Sequence, residues 1–339
     1  MTELGRPNLE VFADTVLELA SQDRDVLVVT SDSRGSGKLT HYGETLPDQI
    51  VELGIAEQNV VGISAGLASA GKKVFAASPA CFITARGFEQ IKNDVAYSDQ
   101  PVRIVGISAG VSYGALGTTH HSLHDFAALR AVNNITIIAP ADNFETRETI
   151  RAIHNTDHPV YVRLGKAAIP QVHGAGSTFT IGKAALIREG RDLSFIACGE
   201  TVPVALAAAE LLAGQGIECR VLSMHTIRPL DEQAVRQAAR DTGAIITVEE
   251  HSIFGGLGEA CAAVLMQAGP VVPFKIVGFP DEHMVNGSQK ELFNHYGISP
   301  DGLAATACQL LGNAHQAAHT DTKQPLAWIS AAAEMTASA

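Results

Sequence analysis

The chain alternates short apolar runs with segments of helical spacing. A helix is expected over Phe12 to Leu19, then a buried strand, Val26-Leu27-Val28-Val29, ending at Ser31-Asp32-Ser33. A glycine-rich loop, Arg34 to Gly43, precedes a strand-like run, Gln49 to Leu53, and a small-residue helix, Val60 to Ala70. The strand Val74 to Ala77, a helix from about Thr84 to Tyr97 and the strand Val102 to Ile107 follow. A long loop leads to the strand Ile135 to Ile138, a helix Phe144 to Ile153 and a last strand, Val160 to Arg163. Continuous apolar strands separated by helices predict parallel strands covered by helices on both faces. After a Gly/Ser/Thr-bearing bridge the pattern starts again, with strands at 193–197, 218–222, 244–248 and 273–277 and helices at 202–212 and from Gly258 to Met266. The expected fold is therefore α/β, with two doubly wound, mostly parallel-sheet domains: residues 1–170, a linker at 171–180, and residues 181–312. Residues 313–339, alanine-rich and polar, are expected to form a mobile tail or to drape on a neighbour.

Composition sharpens this picture. At 339 residues, 46% apolar and only 5% aromatic, the chain has cores filled mainly by aliphatic side chains and alanine. A net charge of −12 argues against nucleic acid or an anionic membrane as partner, because phosphate backbones need a basic surface. The longest charge-free stretch, Ile104 to His124, is rich in glycine, serine and histidine and reads as loop-bearing, not as a membrane span. No basic flank precedes an apolar run at the N-terminus. The five cysteines are scattered without a C-x-x-C pair, which fits a reducing cytoplasm better than a disulfide framework.

The chemistry-bearing residues come in a fixed order. Ser31-Asp32 ends the first strand, and Gly54-Ile55-Ala56-Glu57-Gln58 opens a helix. Cys81-Phe82 follows a strand, and then come Gly117-Thr118-Thr119-His120, Ala139-Pro140-Ala141-Asp142 and Arg163-Leu164-Gly165-Lys166. Glu249-Glu250-His251 with Gly255-Gly256-Leu257-Gly258 closes the series. No single motif is specific, but the ordered series over residues 5 to 310 resembles the C-terminal half of transketolase: a thiamine diphosphate pyrimidine-binding domain, then the transketolase C-terminal domain. Bacterial transketolases split into two chains look like the nearest relatives. The family's diphosphate and metal loop, a Gly-Asp-Gly followed by an asparagine, does not occur in the sequence. The resemblance thus implies half of an enzyme. An N-terminal partner subunit would supply the diphosphate site and the ligands for Mg²⁺ or Ca²⁺. A homodimer contact through this chain would give an α2β2 assembly.

The resemblance also assigns roles. Glu57 would meet the aminopyrimidine ring of thiamine diphosphate, where a carboxyl in a dry pocket can share a proton; the plainer reading is a helix-start glutamate stabilised by the dipole. Phe82, and with it Phe88, would lie against the ring, and Asp32 would lie near the cofactor at a strand end. His120 matches a histidine facing the substrate, suited to proton transfer or a hydroxyl contact. Ser36, Arg163 and Lys166 are candidates for a sugar phosphate, with Arg6 as a helper; Lys166 stands where the family has an arginine, so a point charge replaces a two-pronged contact. His120 and His124 are spaced i, i+4, but the residue after His120 is His121 rather than the glutamate of zinc peptidases, so no metal site is expected on this chain.

Two departures stand out. Ser108 occupies a position where the family has a second substrate histidine, and Leu116 one where it has an aspartate on a sugar hydroxyl. Exchanging polar partners changes which hydroxyl pattern is accepted, which implies a non-standard ketose donor, branched or terminally modified. The competing readings are the β subunit of a 2-oxoacid dehydrogenase, with the same domain pair and length, and a non-catalytic scaffold that has kept the fold.

Overall fold

The computed structural model describes residues 3–320. Its strands are β1 (Leu4–Pro7), β2 (Val26–Thr30), β3 (Ile50–Glu52), β4 (Lys73–Pro79), β5 (Arg103–Ile107), β6 (Thr136–Ile138) and β7 (Val160–Arg163). They continue with β8 (Ala168–Pro170), β9 (Ala185–Arg188), β10 (Leu193–Ala197), β11 (Cys219–Ser223), β12 (Thr226–Arg228), β13 (Ile245–Ser252) and β14 (Phe274–Phe279). One sheet has the order β12-β6-β7-β5-β4-β2-β3 and a second has β14-β13-β10-β11-β9. All pairings from β6 to β3 in the first sheet are parallel, as are those among β14, β13, β10 and β11. The two α/β domains are thus those the apolar runs predict.

Period-two alternation divides each central strand between two helical layers. On β2 and β4, Val26, Val28, Phe75 and Ala77 pack with Leu9, Phe12 and Val16 of the helix Asn8–Gln22. Val29, Val74 and Ala76 face the other way, onto Val60, Ile83 and Ile91. The latter cluster runs on without a break into Ile196, Leu222, Met224 and Leu257 of the second domain, so the domains share one apolar interior.

Several features differ from the sequence reading. The helix expected from Thr84 begins at Ala80, directly on the end of β4, which puts Phe82 in its first turn; after Arg86 it passes through Phe88–Gln90 into a π-helical segment, Ile91–Tyr97. The loop from Arg34 contains a short helix, Thr40–Thr45. β12 leaves the second domain and pairs antiparallel with β6, so it completes the first sheet. The linker is anchored: His173 is buried against Asp142 at 3.0 Å and Glu145 at 3.3 Å, and Phe179 stacks on His225. The helix Pro300–Thr320 crosses residue 313, where the tail is expected to begin; the rest of the expected tail lies outside the described residues. Among those residues, no helix is long and apolar enough to cross a membrane.

Candidate active site

In an open parallel sheet the ligand edge lies beyond the carboxyl ends of the strands. Here that edge carries almost every predicted residue: Asp32 after β2, Glu57 after β3, Phe82 after β4, Ser108 after β5 and Lys166 after β7. Glu57 is the first residue of the helix Glu57–Ser69, reached through Gly54 at φ +69°. Its carboxylate is buried, at 2% exposure, where the helix dipole favours negative charge.

Oε2 of Glu57 pairs with Nη1 of Arg86 at 3.0 Å, and no hydrogen bond engages Oε1 among the described residues. Arg86 was not anticipated. It lies one helical turn from Phe82, and its guanidinium sits 4.8 Å from the Phe82 ring centroid. Contacts then run unbroken along the edge. Phe82 meets His120 edge-on at 5.3 Å, His120 meets Tyr113 at 5.5 Å, and Nζ of Lys166 lies 5.2 Å from the Tyr113 ring. His120 Nδ1 is 3.0 Å from Thr119 Oγ1. Ser36 and Ser108 lie beside the Tyr113 hydroxyl, with Asp32 within its electrostatic reach. Burial is the main cause that pushes the Tyr113 phenol up from its ordinary value, so it stays neutral and can donate. Ser108 is buried at φ +50°, a conformation that costs a non-glycine residue about 1–3 kcal/mol.

The residues fit an aminopyrimidine ring: a buried carboxylate with one oxygen free, beside a half-buried phenyl ring. A separate groove lies beside Arg130 and Arg228, away from these residues. His120, His121 and His124 point to different partners: His121 bonds the Gly114 carbonyl at 2.9 Å and His124 bonds Thr84 at 3.1 Å, and among the described residues no group of three or more metal-capable side chains converges.

Three predicted residues are not at this face. Arg163 is buried, 3.1 Å from Asp125, stacked on Phe126, and donates to the carbonyls of Ser122 and Glu250. A guanidinium committed to an internal counter-charge is not free for a phosphate. Phe88 packs onto the core of Val60 and Val61; six residues past Phe82 it points about 120° away around a helix. Arg6 is tied to Glu10 and Asp14 on the surface.

Behind the face lies a buried carboxyl pair from the second domain. Nε2 of Gln289 donates to Glu200 Oε2 at 3.0 Å and to Glu250 Oε1 at 2.8 Å. Burial, then the charge of Glu250, raise Glu200 to about 8; burial also raises Glu250. Since Glu200 in the unfolded chain titrates near 4.5, the native state holds the extra proton, and stability falls as pH rises from 4.5 through 8. His225 and His251, lowered by burial to about 4, act in the opposite sense only below pH 6.5. The Glu200→Gln variant should therefore lose less stability between pH 7 and 8, by up to about 1.4 kcal/mol per pH unit, in urea titrations at several pH values.

Residues 7–171 match the family model of the transketolase pyrimidine binding domain, and residues 182–303 that of the transketolase C-terminal domain. A subunit of the apulose-4-phosphate transketolase of Phocaeicola vulgatus is 50% identical over 301 residues, 88% of this chain and 96% of that protein. The 6-deoxy-6-sulfo-D-fructose transketolase subunit SqwH of a Clostridium sp. is 35% identical over 298 residues, 88% and 92% of the two chains. A solved split gene transketolase, an inactive beta4 tetramer, matches with a TM-score of 0.81 at 32% identity, covering 91% of this chain and 99% of that one.

Proposed function

The chain belongs to the transketolase family and is a transketolase-type subunit, and from that premise we propose that it takes a two-carbon ketol unit from a modified ketose phosphate. The observation that carries the donor class is the 50% identity to a subunit named for apulose 4-phosphate; a more distant relative is named for 6-deoxy-6-sulfo-D-fructose. Ser108 and Leu116 agree with it, since the strained, buried serine and the exposed leucine offer little to a standard pattern of sugar hydroxyls. The same similarities favour this reading over a 2-oxoacid dehydrogenase β subunit.

Thiamine diphosphate, when bound, supplies the nucleophilic carbon that takes up the two-carbon unit. In this reading Glu57 holds a proton at Oε1 against the pyrimidine, with Arg86 fixing Oε2. Phe82 gives the ring an apolar wall and excludes water. His120 and Tyr113 meet sugar hydroxyls, with Ser108 behind Tyr113, while Lys166 and Ser36 meet the phosphate and Asp32 borders the cofactor. The division into residues 1–170, 171–180 and 181–312 separates these roles from the C-terminal domain. The remaining half of the site comes from an N-terminal partner subunit with its Mg²⁺ or Ca²⁺ ligands, in an α2β2 assembly. The exposed apolar side chains Ile55 and Ile63, beside and on the Glu57 helix, support a protein partner there.

The test is the complex with its partner subunit, assayed for aldose release from a panel of ketose phosphates. Apulose 4-phosphate should give a kcat/KM at least about tenfold above xylulose 5-phosphate, the difference expected when a buried polar contact is matched or missed. Equal use of both would overturn the donor assignment, and decarboxylation of a 2-oxoacid would overturn the transketolase reading.

A further inference from the structure

The segment from Gly110 to Ser122 carries Tyr113 and His120, and its ends are pinned together by the Ser122 N–H donating to the Gly110 carbonyl at 2.7 Å. Its own bonds are short-range turns, such as His120 N–H to the Gly117 carbonyl at 2.9 Å and the His121 ring to the Gly114 carbonyl at 2.9 Å, which shape the segment locally. The second domain holds it at several points. The Val111 N–H donates to Glu250 Oε1 at 2.9 Å, in a buried bond. The Glu250 carboxyl lies flat against Gly110, which has φ +59° and no room for a Cβ. At the tip, Asn286 Nδ2 donates to the Ala115 carbonyl at 3.1 Å, and Gly114 packs on Gly287. The same carboxyl pair reaches the other substrate segment, since Glu200 lies where a Cβ on Gly165 would be, one residue before Lys166. Gln289, at the start of the helix Gln289–His295, ties Glu200 to Glu250.

We propose that Glu250 is a positioning residue for the sugar half of the site: bridged through Gln289 to Glu200, it fixes from the C-terminal domain the two backbone segments that present Tyr113, His120 and Lys166. It touches neither cofactor nor substrate. A buried side-chain oxygen accepting from a backbone N–H fixes that N–H in direction, and misplacing a contact group by a fraction of an ångström weakens binding of the reacting sugar. The effect therefore falls on the donor and not on thiamine diphosphate, whose contacts Glu57 and Phe82 sit on other segments. The link to turnover rests on the transketolase reading of the site.

The experiment compares Glu250→Ala, Glu250→Gln and Gln289→Ala in the full complex with the partner subunit. It reads KM and kcat for the best ketose of the panel, Kd for thiamine diphosphate, and amide hydrogen exchange at residues 111–120. Glu250→Ala should raise the donor KM about tenfold or more, leave the cofactor Kd within about twofold, and speed exchange at residues 111–120. Glu250→Gln keeps an oxygen for the Val111 N–H and should restore both KM and exchange. Gln289→Ala, at a half-buried position, should move KM and exchange in the same direction by less, and decides the matter if Glu250→Ala does not fold. Unchanged exchange at residues 111–120, an unchanged KM, or a Gln variant no better than Ala would overturn the proposal. Should the unaltered complex cleave no ketose, the transketolase reading fails, and hydrogen exchange alone still decides whether Glu250 fixes the segment.

Discussion

Glu57→Gln should lower kcat/KM for ketose cleavage by about 10²–10⁴-fold, the range spanned by a positioned acid–base group. The substitution keeps the volume and one oxygen of the side chain but removes its ability to carry and return a proton. Stability should hardly change, because Arg86 is half exposed and an ion pair of that kind contributes about 0–1 kcal/mol. The comparison needs only initial rates of aldose release with the partner present, and gel filtration to show that assembly is intact. A variant that kept more than about a tenth of the activity would remove Glu57 from the proton path. Asp32, exposed at the next strand end, would then be the carboxyl to test.

Asp125→Ala should cost about 3–5 kcal/mol of unfolding free energy, the penalty for stranding one partner of a buried ion pair. Asp125 is fully buried; its Oδ2 faces Arg163 at 3.1 Å and accepts from the Tyr161 hydroxyl at 2.7 Å. Without it the Arg163 guanidinium keeps its carbonyl partners, the Phe126 face and the field of Glu250, but loses the carboxylate paired with it. Against a total stability of about 5–15 kcal/mol for a protein of this kind, the loss is large. Urea unfolding of the isolated chain measures it, and a loss below about 1 kcal/mol would show that Arg163 is neutralised from elsewhere. Asp125→Asn, which keeps an acceptor for Tyr161, should fall between the two.

The contrast between Glu57 and Arg163 shows what the sequence makes legible. Local pattern placed the strands, and strand ends placed Glu57, Phe82, His120 and Lys166 on one edge, because a parallel sheet collects its carboxyl ends there. The Arg163-Leu164-Gly165-Lys166 run looked like two available cations, yet Arg163 is the last residue of a buried strand and Lys166 lies just beyond it. What separates them is Asp125, a partner from a distant helix that no local spacing announces. Arg86 was readable in principle, since it is i+4 from Phe82 on one helix. Glu250 stood in a recognised landmark without a role, because its contacts to Val111 and Gln289 cross from one domain to the other. β12 is three residues long, too short for any period to show.

That short strand bears on where such a chain can be recombined. Thr226–Arg228 lies along the outer edge of β6, so the first sheet ends on a piece of backbone encoded well past the linker. Severing the gene at the linker would leave β6 as a bare edge, open to pairing with any other strand, and would cut the shared apolar interior in two. The Gly/Ser/Thr-bearing stretch looks like a seam between interchangeable modules, but a sheet and an apolar interior both run across it.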